Sequence, residues 1–362
     1  MAIEQAAGPV VGREEELLVL ESFLDGVEGG PAALLLEGEA GIGKTTLWKH
    51  AVAAAQERGM RVLACRPAGA EARFSFAGLD DVLADVVQEV LSALPAPQQR
   101  ALKVALLLED PAGLAPDQRT IAVAFLGVLR HLALDAHVLL ALDDAQWLDP
   151  PSASVFEFAV RRLRDEPIGV LLAKRIESSG PVTLALEQAV PEERLRRLSV
   201  GPLSLGALHQ LFRARLGLSF PRPTLRRVQE VSGGNPFFAL ELARALERRG
   251  GALSPGDDLP VPGNLQELVR ERLERLPQAS RKAVLAVAAL AQPTEEQVEA
   301  ALGAAAAQSL ADAAAAGIIE FERDRIRFTH PLLASVVLAR VAARARWCAR
   351  SSGSSTTSAR RL

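Results

Sequence analysis

The sequence is poor in lysine. Lys44, Lys49, Lys103, Lys174 and Lys282 are the whole complement of a 362-residue chain in which Lys and Arg together number 41. A lysine inside a motif therefore carries more weight here than usual. Cysteine is as sparse: Cys65 and Cys348 stand far apart and form neither a disulfide framework nor a zinc-ligand pattern. Neither charge sign dominates, since 41 basic against 44 acidic side chains leave −3 at pH 7, and a global basic field for nucleic acid is excluded. Long apolar runs are also missing. The longest uncharged stretch, residues 198–212, is interrupted by Gly201-Pro202 and falls short of the roughly 20 apolar residues that span a bilayer. Residues 1–8 have neither the basic nor the apolar region of a secretory signal. These absences predict a cytoplasmic protein with reduced thiols and no membrane partner. What is present is an ordinary globular composition, 49% hydrophobic and 23% charged, in a chain long enough for about two domains.

Short apolar runs alternate with amphipathic ones through the first two-thirds. Residues 31–37 (P-A-A-L-L-L-E), 61–66, 137–143 (H-V-L-L-A-L-D), 167–173 and, more weakly, 194–200 read as strands. Residues 45–58, 76–94, 97–108 and 117–134 repeat apolar positions at the helical period. Buried strands separated by helices predict a parallel sheet covered on both faces, that is, an α/β fold in three layers. From residue 204 to 249 only helical segments follow. Residues 250–263 are dense in Gly and Pro and read as a linker. Helices are expected at 264–276, 280–290, 294–301 and 308–316, then a hairpin from 318–321 and 325–329, an order that suggests a winged helix. The stretch 344–362, rich in Ser, Thr and Arg with no acidic residue, reads as a disordered tail. The expected organisation is an α/β domain at 9–202, a helical lid at 203–250, a linker at 251–263, a winged-helix-like domain at 264–340 and a tail at 341–362.

Residues 38–46 read G-E-A-G-I-G-K-T-T, a phosphate-loop pattern lying between an apolar strand and an amphipathic helix, the context that the pattern requires. A polyphosphate needs several backbone N–H groups aimed at one point. Glycines let the chain wrap without Cβ clashes, and the helix start adds the positive end of its dipole. Gly38, Glu39, Ala40, Gly41, Ile42, Gly43, Lys44, Thr45 and Thr46 are therefore the expected nucleotide-binding loop. Lys44 is expected between the β- and γ-phosphates and the Thr45 hydroxyl on Mg²⁺. The bland alternative is a Gly-rich turn with an incidental lysine.

Residues 139–149 read L-L-A-L-D-D-A-Q-W-L-D, an apolar strand ending in carboxylates. Paired with a phosphate loop, this end is read as the second half of a P-loop NTPase site. Asp143 would hold Mg²⁺, usually through water, and Asp144 would orient or deprotonate the attacking water. Alternatively both aspartates cap the next helix, in which Ser152 is also an N-cap candidate. Asp144 stands where many AAA-type hydrolases carry glutamate. Its shorter reach predicts slow hydrolysis, suited to a switch rather than a motor.

These residues, with Val11-Gly12-Arg13-Glu14, Gly233-Gly234-Asn235-Pro236-Phe237-Phe238 and Phe328-Thr329-His330-Pro331-Leu332, resemble the AAA-type, signal-transducing (STAND) ATPase module of large LuxR-type and MalT-like regulators. That module is itself similar to origin-recognition-like AAA domains. The resemblance spans roughly residues 9–340. It implies ATP or ADP with Mg²⁺ as cofactors, held between the α/β domain and the lid. It also implies Gly12 and Arg13 near the adenine and ribose, Arg175 as a γ-phosphate sensor, Pro236 packing near the adenine and His330 sensing a bound diphosphate. Plainer readings stand beside these: Arg175 as a solvated strand-end arginine, Pro236 as the first helical residue after an Asn235 N-cap, His330 as a helix cap. Trp147 is expected in the core or at an inter-domain contact. Arg194, Arg196 and Arg197 are candidates, by position alone, for a residue acting on a neighbouring copy. Such regulators usually continue into helical repeats and a DNA-binding helix-turn-helix. The chain is accordingly expected to be a truncated or stand-alone nucleotide switch, with a protein effector or self-association as partner and no direct DNA binding. The rival functions are a constitutive ATPase, a P-loop kinase for a small substrate, and a nucleotide-independent scaffold.

Overall fold

The computed structural model describes residues 10–69, 71–111, 116–176, 189–248, 270, 272–290, 293–303, 305–322, 325–329, 333–334 and 336–337. They divide into two units. The first holds the described residues up to 219 together with 232–237, and the second holds 220–231 and those from 238 onward.

The first unit runs α1 (Glu14–Gly26), β1 (Ala32–Gly38), α2 (Lys44–Glu57), β2 (Arg61–Cys65), α3 (Ala77–Leu83), α4 (Val87–Val90), α5 (Ala96–Ala105), α6 (Gln118–Leu132), β3 (Val138–Leu142), α7 (Pro150–Val160), β4 (Ile168–Arg175), β5 (Leu195–Ser199) and α8 (Leu205–Leu216). The five strands form one parallel sheet in the order β2-β3-β4-β1-β5. Side chains alternate across it, as the two-residue period of a strand demands. Ala33, Leu35, Leu140, Leu142, Val170 and Leu172 join the core built with α3 to α7. Leu34, Leu36, Leu139, Ala141, Leu171 and Ala173 join the core built with α1 and α2. Strand β3 (V-L-L-A-L), lying between β2 and β4, is buried at every position, so its apolar run shows no polar alternation. At the edge, β5 (L-R-R-L-S) exposes Arg196 and Arg197, charges that discourage a further strand from pairing.

The helix expected over 76–94 is instead broken into α3, α4 and a short turn at Leu91–Ala93. Its entry is bent, because Phe76 sits in the left-handed region at φ 65° while its N–H and that of Gly78 reach the Asp149 carboxylate. Val82, Val86, Val87 and Val90 supply burial but are poor helix formers.

The second unit contains α9 (Arg222–Ser232) and α10 (Pro236–Glu247), apart from Ser232, Pro236 and Phe237, together with α11 (Gln278–Ala289), α12 (Glu295–Leu302), α13 (Ala306–Ala315) and the antiparallel hairpin of β6 (Ile319–Glu322) and β7 (Arg325–Phe328). Thr294 and Gln297 form a reciprocal capping box at the start of α12. The expected linker, His330 and the tail lie outside the described residues. Among the described residues no helix is long and apolar enough to cross a membrane.

Candidate functional site

The loop after β1 is shaped by its glycines. Gly41 and Gly43 hold φ of 82° and 110°, and a Cβ on Gly38 would lie 2.7 Å from Ile42 Cγ2 and 2.9 Å from the Val200 carbonyl oxygen. Every carbonyl from Gly38 to Ile42 is engaged. Lys44 Nζ donates to Gly38 O at 2.9 Å and Glu39 O at 2.8 Å. Asn235 Nδ2 donates to Ala40 O at 2.9 Å, the Phe237 N–H to Gly41 O at 3.3 Å, and the Arg13 guanidinium to Ile42 O at 2.8 Å. In a trans peptide the N–H points opposite to the carbonyl. Where Asn235 and Arg13 hold Ala40 O and Ile42 O, the amides of Gly41 and Gly43 point the opposite way, away from those two side chains, whereas Ile42 N donates back to Glu39 O. The loop runs into α2, whose N-cap is Gly43 with no side-chain cap. Loop amides leading into an uncapped helix start make an anion site.

Lys44 is buried at the head of α2. Burial pushes its ammonium below the ordinary lysine range, and the carboxylates of Asp144 and Asp143 push back. Those two carboxylates follow β3. Asp143 is buried; its Oδ1 accepts the Asp144 N–H at 3.0 Å, its Oδ2 lies 3.4 Å from Arg66 Nε, and the Thr45 hydroxyl donates to it. Burial first, and Asp144 second, hold the Asp143 carboxyl above the usual carboxylate range, against the pull of Arg66 and Thr45. Asp144 occupies the left-handed region at φ 47°. Its Oδ1 accepts from Gln146 Nε2 at 2.7 Å and lies 3.9 Å from Arg175 Nε, while Gln146 Oε1 accepts the Arg175 N–H at 3.3 Å. Gln146 thus ties the ends of β3 and β4 together.

Thr45 and Asp143, the two residues expected on Mg²⁺, touch each other and offer the hard oxygen ligands that this ion takes. Among the described residues no group of three or more His, Cys, Asp or Glu converges on a metal-sized space. A divalent ion here would have to draw its other ligands from water and phosphate, as Mg²⁺ does. The residues fit the group on that condition.

The remaining expected residues are placed as follows. Arg13 is buried and braces the loop: besides Ile42 O it reaches Gly201 O at 2.7 Å and Glu16 at 2.6 Å. Gly12 is packed so closely that a Cβ would lie 2.2 Å from Ala207 Cβ. Pro236 is the first residue of α10, directly after Asn235, whose Oδ1 accepts the Phe237 N–H at 3.1 Å. Arg175 is the last residue of β4, whereas its neighbour Lys174 pairs with Glu37 at 3.0 Å. Arg194 donates to Arg164 O and Arg196 to Ser22 Oγ. His330 lies outside the described residues. Trp147 is not in the core: it is 36% exposed, with Arg175 5.9 Å from its ring. The N-cap of α7 is Asp149, not Ser152.

Three roles had no counterpart in the sequence reading. Arg66 faces Asp143, Gln146 supports Asp144, and buried Asp149 accepts N–H groups from Phe76, Gly78 and Ser152. The last two lie within the 139–149 motif, but only the folding of residues 76–78 against α7 gives Asp149 its purpose.

Residues 9–172 match the AAA ATPase domain. Over 280 residues the chain is 24% identical to an uncharacterized protein of Rhizobium meliloti (strain 1021), a match covering 67% of this chain and 26% of that protein. A STAND protein with a tetratricopeptide repeat sensor from Pyrococcus horikoshii shares the fold. It has a TM-score of 0.50 and 15% identity, over 93% of this chain and 44% of that one. Cdc6p from Pyrobaculum aerophilum aligns at TM-score 0.45 and 16% identity, over 93% of this chain and 96% of its own. The chain thus spans about a quarter of the length of the curated relative and under half of the STAND structure.

Proposed function

We propose that the chain binds ATP or ADP with Mg²⁺ at the 38–46 loop and acts as a slowly hydrolysing switch. In this reading the loop amides and Lys44 hold the phosphates, and Thr45 and Asp143 hold the metal, which supplies charge neutralisation. Asp144 orients water, and Arg175 reports the γ-phosphate. The observation that carries it is the set of engaged carbonyls around the loop, reinforced by the match to the AAA ATPase domain. The switch is supported by two of those bonds. Asn235 and the Phe237 N–H grip Ala40 O and Gly41 O, so a loop reshaped by phosphate is felt at residues 235–237, where α10 begins.

The finer reading is the nucleotide-binding part of a LuxR-type or MalT-like regulator. It comprises a P-loop NTPase domain at 9–202, a helical lid at 203–250 and a winged-helix-like domain at 264–340, with Gly12, Arg13, Pro236 and His330 serving the nucleotide. The helices and hairpin of the second unit suit it, as does the fold shared with a STAND protein. No direct DNA reading is expected of the hairpin. Glu320 and Glu322 stand opposite Arg327 and Arg325, so carboxylates sit beside the arginines that phosphates would need. Small-angle scattering with saturating ATP and with ADP tests the switch, with two different profiles expected. Steady-state turnover above a few per second, or identical profiles at saturation, would overturn it.

A further inference from the structure

The parallel register of β2 with β3 sets Cys65 beside Leu142, so the next residues, Arg66 and Asp143, emerge side by side at the carboxyl end of the sheet. Arg66 Nε stands 3.4 Å from Asp143 Oδ2, with both side chains largely removed from solvent. On its other side the guanidinium lies 6.0 Å from the centre of the Trp48 ring. Trp48 is one helical turn beyond Lys44 and Thr45 on α2; it is buried, and its indole N–H has no hydrogen-bond partner among the described residues. Thr45, Asp143, Arg66 and Trp48 therefore form one chain of contacts that begins at the expected metal ligands and ends on an aromatic ring.

A guanidinium and a divalent cation cannot both sit against one buried carboxylate without repelling each other. We propose that Arg66 is the counter-ion of Asp143 in the nucleotide-free chain and gives up that carboxylate when magnesium-nucleotide binds, so that Arg66 sets how much Mg²⁺ the site requires. The Trp48 face lets Arg66 keep a favourable cation–π contact once it has left Asp143. The proposal rests on the nucleotide reading above and adds to it a positioning residue acting through Asp143. A plain structural ion pair would predict lower stability on losing Arg66, but no change in the Mg²⁺ requirement of the folded protein.

The test is ADP binding to the full chain across a Mg²⁺ titration, for wild type, Arg66→Gln and Arg66→Lys. Arg66→Gln is expected to lower the Mg²⁺ concentration at half-binding about tenfold, a coupling of ordinary size. Arg66→Lys, which keeps the charge, is expected to stay within about twofold of wild type on the same scale. A second readout uses Trp48 as the sole tryptophan, with Trp147→Phe and Trp347→Phe. Its emission should change on adding Mg²⁺ and ADP when Arg66 is present and lose most of that response in Arg66→Gln. A Mg²⁺ requirement unmoved or raised in Arg66→Gln, in protein that still binds ADP, overturns this inference alone. Wild-type protein that binds no ADP at any Mg²⁺ concentration overturns both this inference and the nucleotide reading.

Discussion

Two clusters of buried charge differ in how they are closed. In the second unit, Glu241 accepts from Arg244 at 2.6 Å and from Arg272, and Arg272 also donates to Ala316 O and to Gly317 O at 2.8 Å. Gly317 leaves room for that guanidinium, since a Cβ there would lie 2.8 Å from Arg272 Nη2. One buried carboxylate takes two guanidinium groups, and backbone carbonyls take the spare donors of Arg272, in a group that joins α10 to the turn before β6. At the ends of β2, β3 and β4 the arrangement is looser. Two adjacent carboxylates, Asp143 and Asp144, face Arg66 and Arg175 at 3.4 and 3.9 Å, and Lys44 is folded onto loop carbonyls. The first pattern holds a fold together. The second leaves charge for a ligand to meet, and it lies beside a loop whose carbonyls from Gly38 to Ile42 are all engaged.

If that contrast is right, substitutions in the two clusters should fail in different assays. Glu241→Ala leaves the largely buried Arg272 and the partly exposed Arg244 without their shared carboxylate and should cost about 3–5 kcal/mol of stability. Chemical denaturation would show it, while ADP affinity of the folded fraction stays as in wild type. Lys44→Ala should weaken ATP about 100-fold, roughly 3 kcal/mol, the scale of a charge-assisted contact. Competition against a fluorescent nucleotide reads this, and an undiminished affinity would put the site elsewhere. Asp149→Ala should behave like the first class although it lies within the 139–149 motif. It removes a cap and two further acceptor contacts, so about 2–3 kcal/mol of stability should go without loss of nucleotide affinity. Asp144→Glu gives the smallest effect, restoring a methylene of reach and raising ATP turnover about tenfold, or 1.4 kcal/mol. Lower turnover in that variant would show that Gln146 and Arg175 need the aspartate itself.

Much of the α/β unit was legible because its strands are continuous apolar runs bounded by motifs. The 31–37 and 137–143 runs became β1 and β3 within a residue at either end, and the helix expected from Thr45 begins at Lys44. The loop could be read from spacing because Gly38, Gly41 and Gly43 are required by local geometry. What stayed hidden depends on register and long-range packing. Arg66 is an arginine after a short edge strand until β2 is seen beside β3. Phe76 is one more apolar position in a helical pattern until Asp149 bends the chain there. Trp147, expected in the core or at an inter-domain contact, is not in the core: it stands 36% exposed beside Arg175. The contacts of Arg13 with Ile42 O and Gly201 O, the longer spanning 188 positions of sequence, were equally beyond local pattern.

The proposed switch depends on the 38–46 loop holding an adenine nucleotide with its metal. Calorimetric titration of the purified chain with ATP and Mg²⁺ tests it most directly. Saturable heat at one nucleotide per chain is expected, with the affinity about 100-fold weaker in Lys44→Ala that remains folded. Absence of heat from folded wild-type protein at millimolar nucleotide would contradict it.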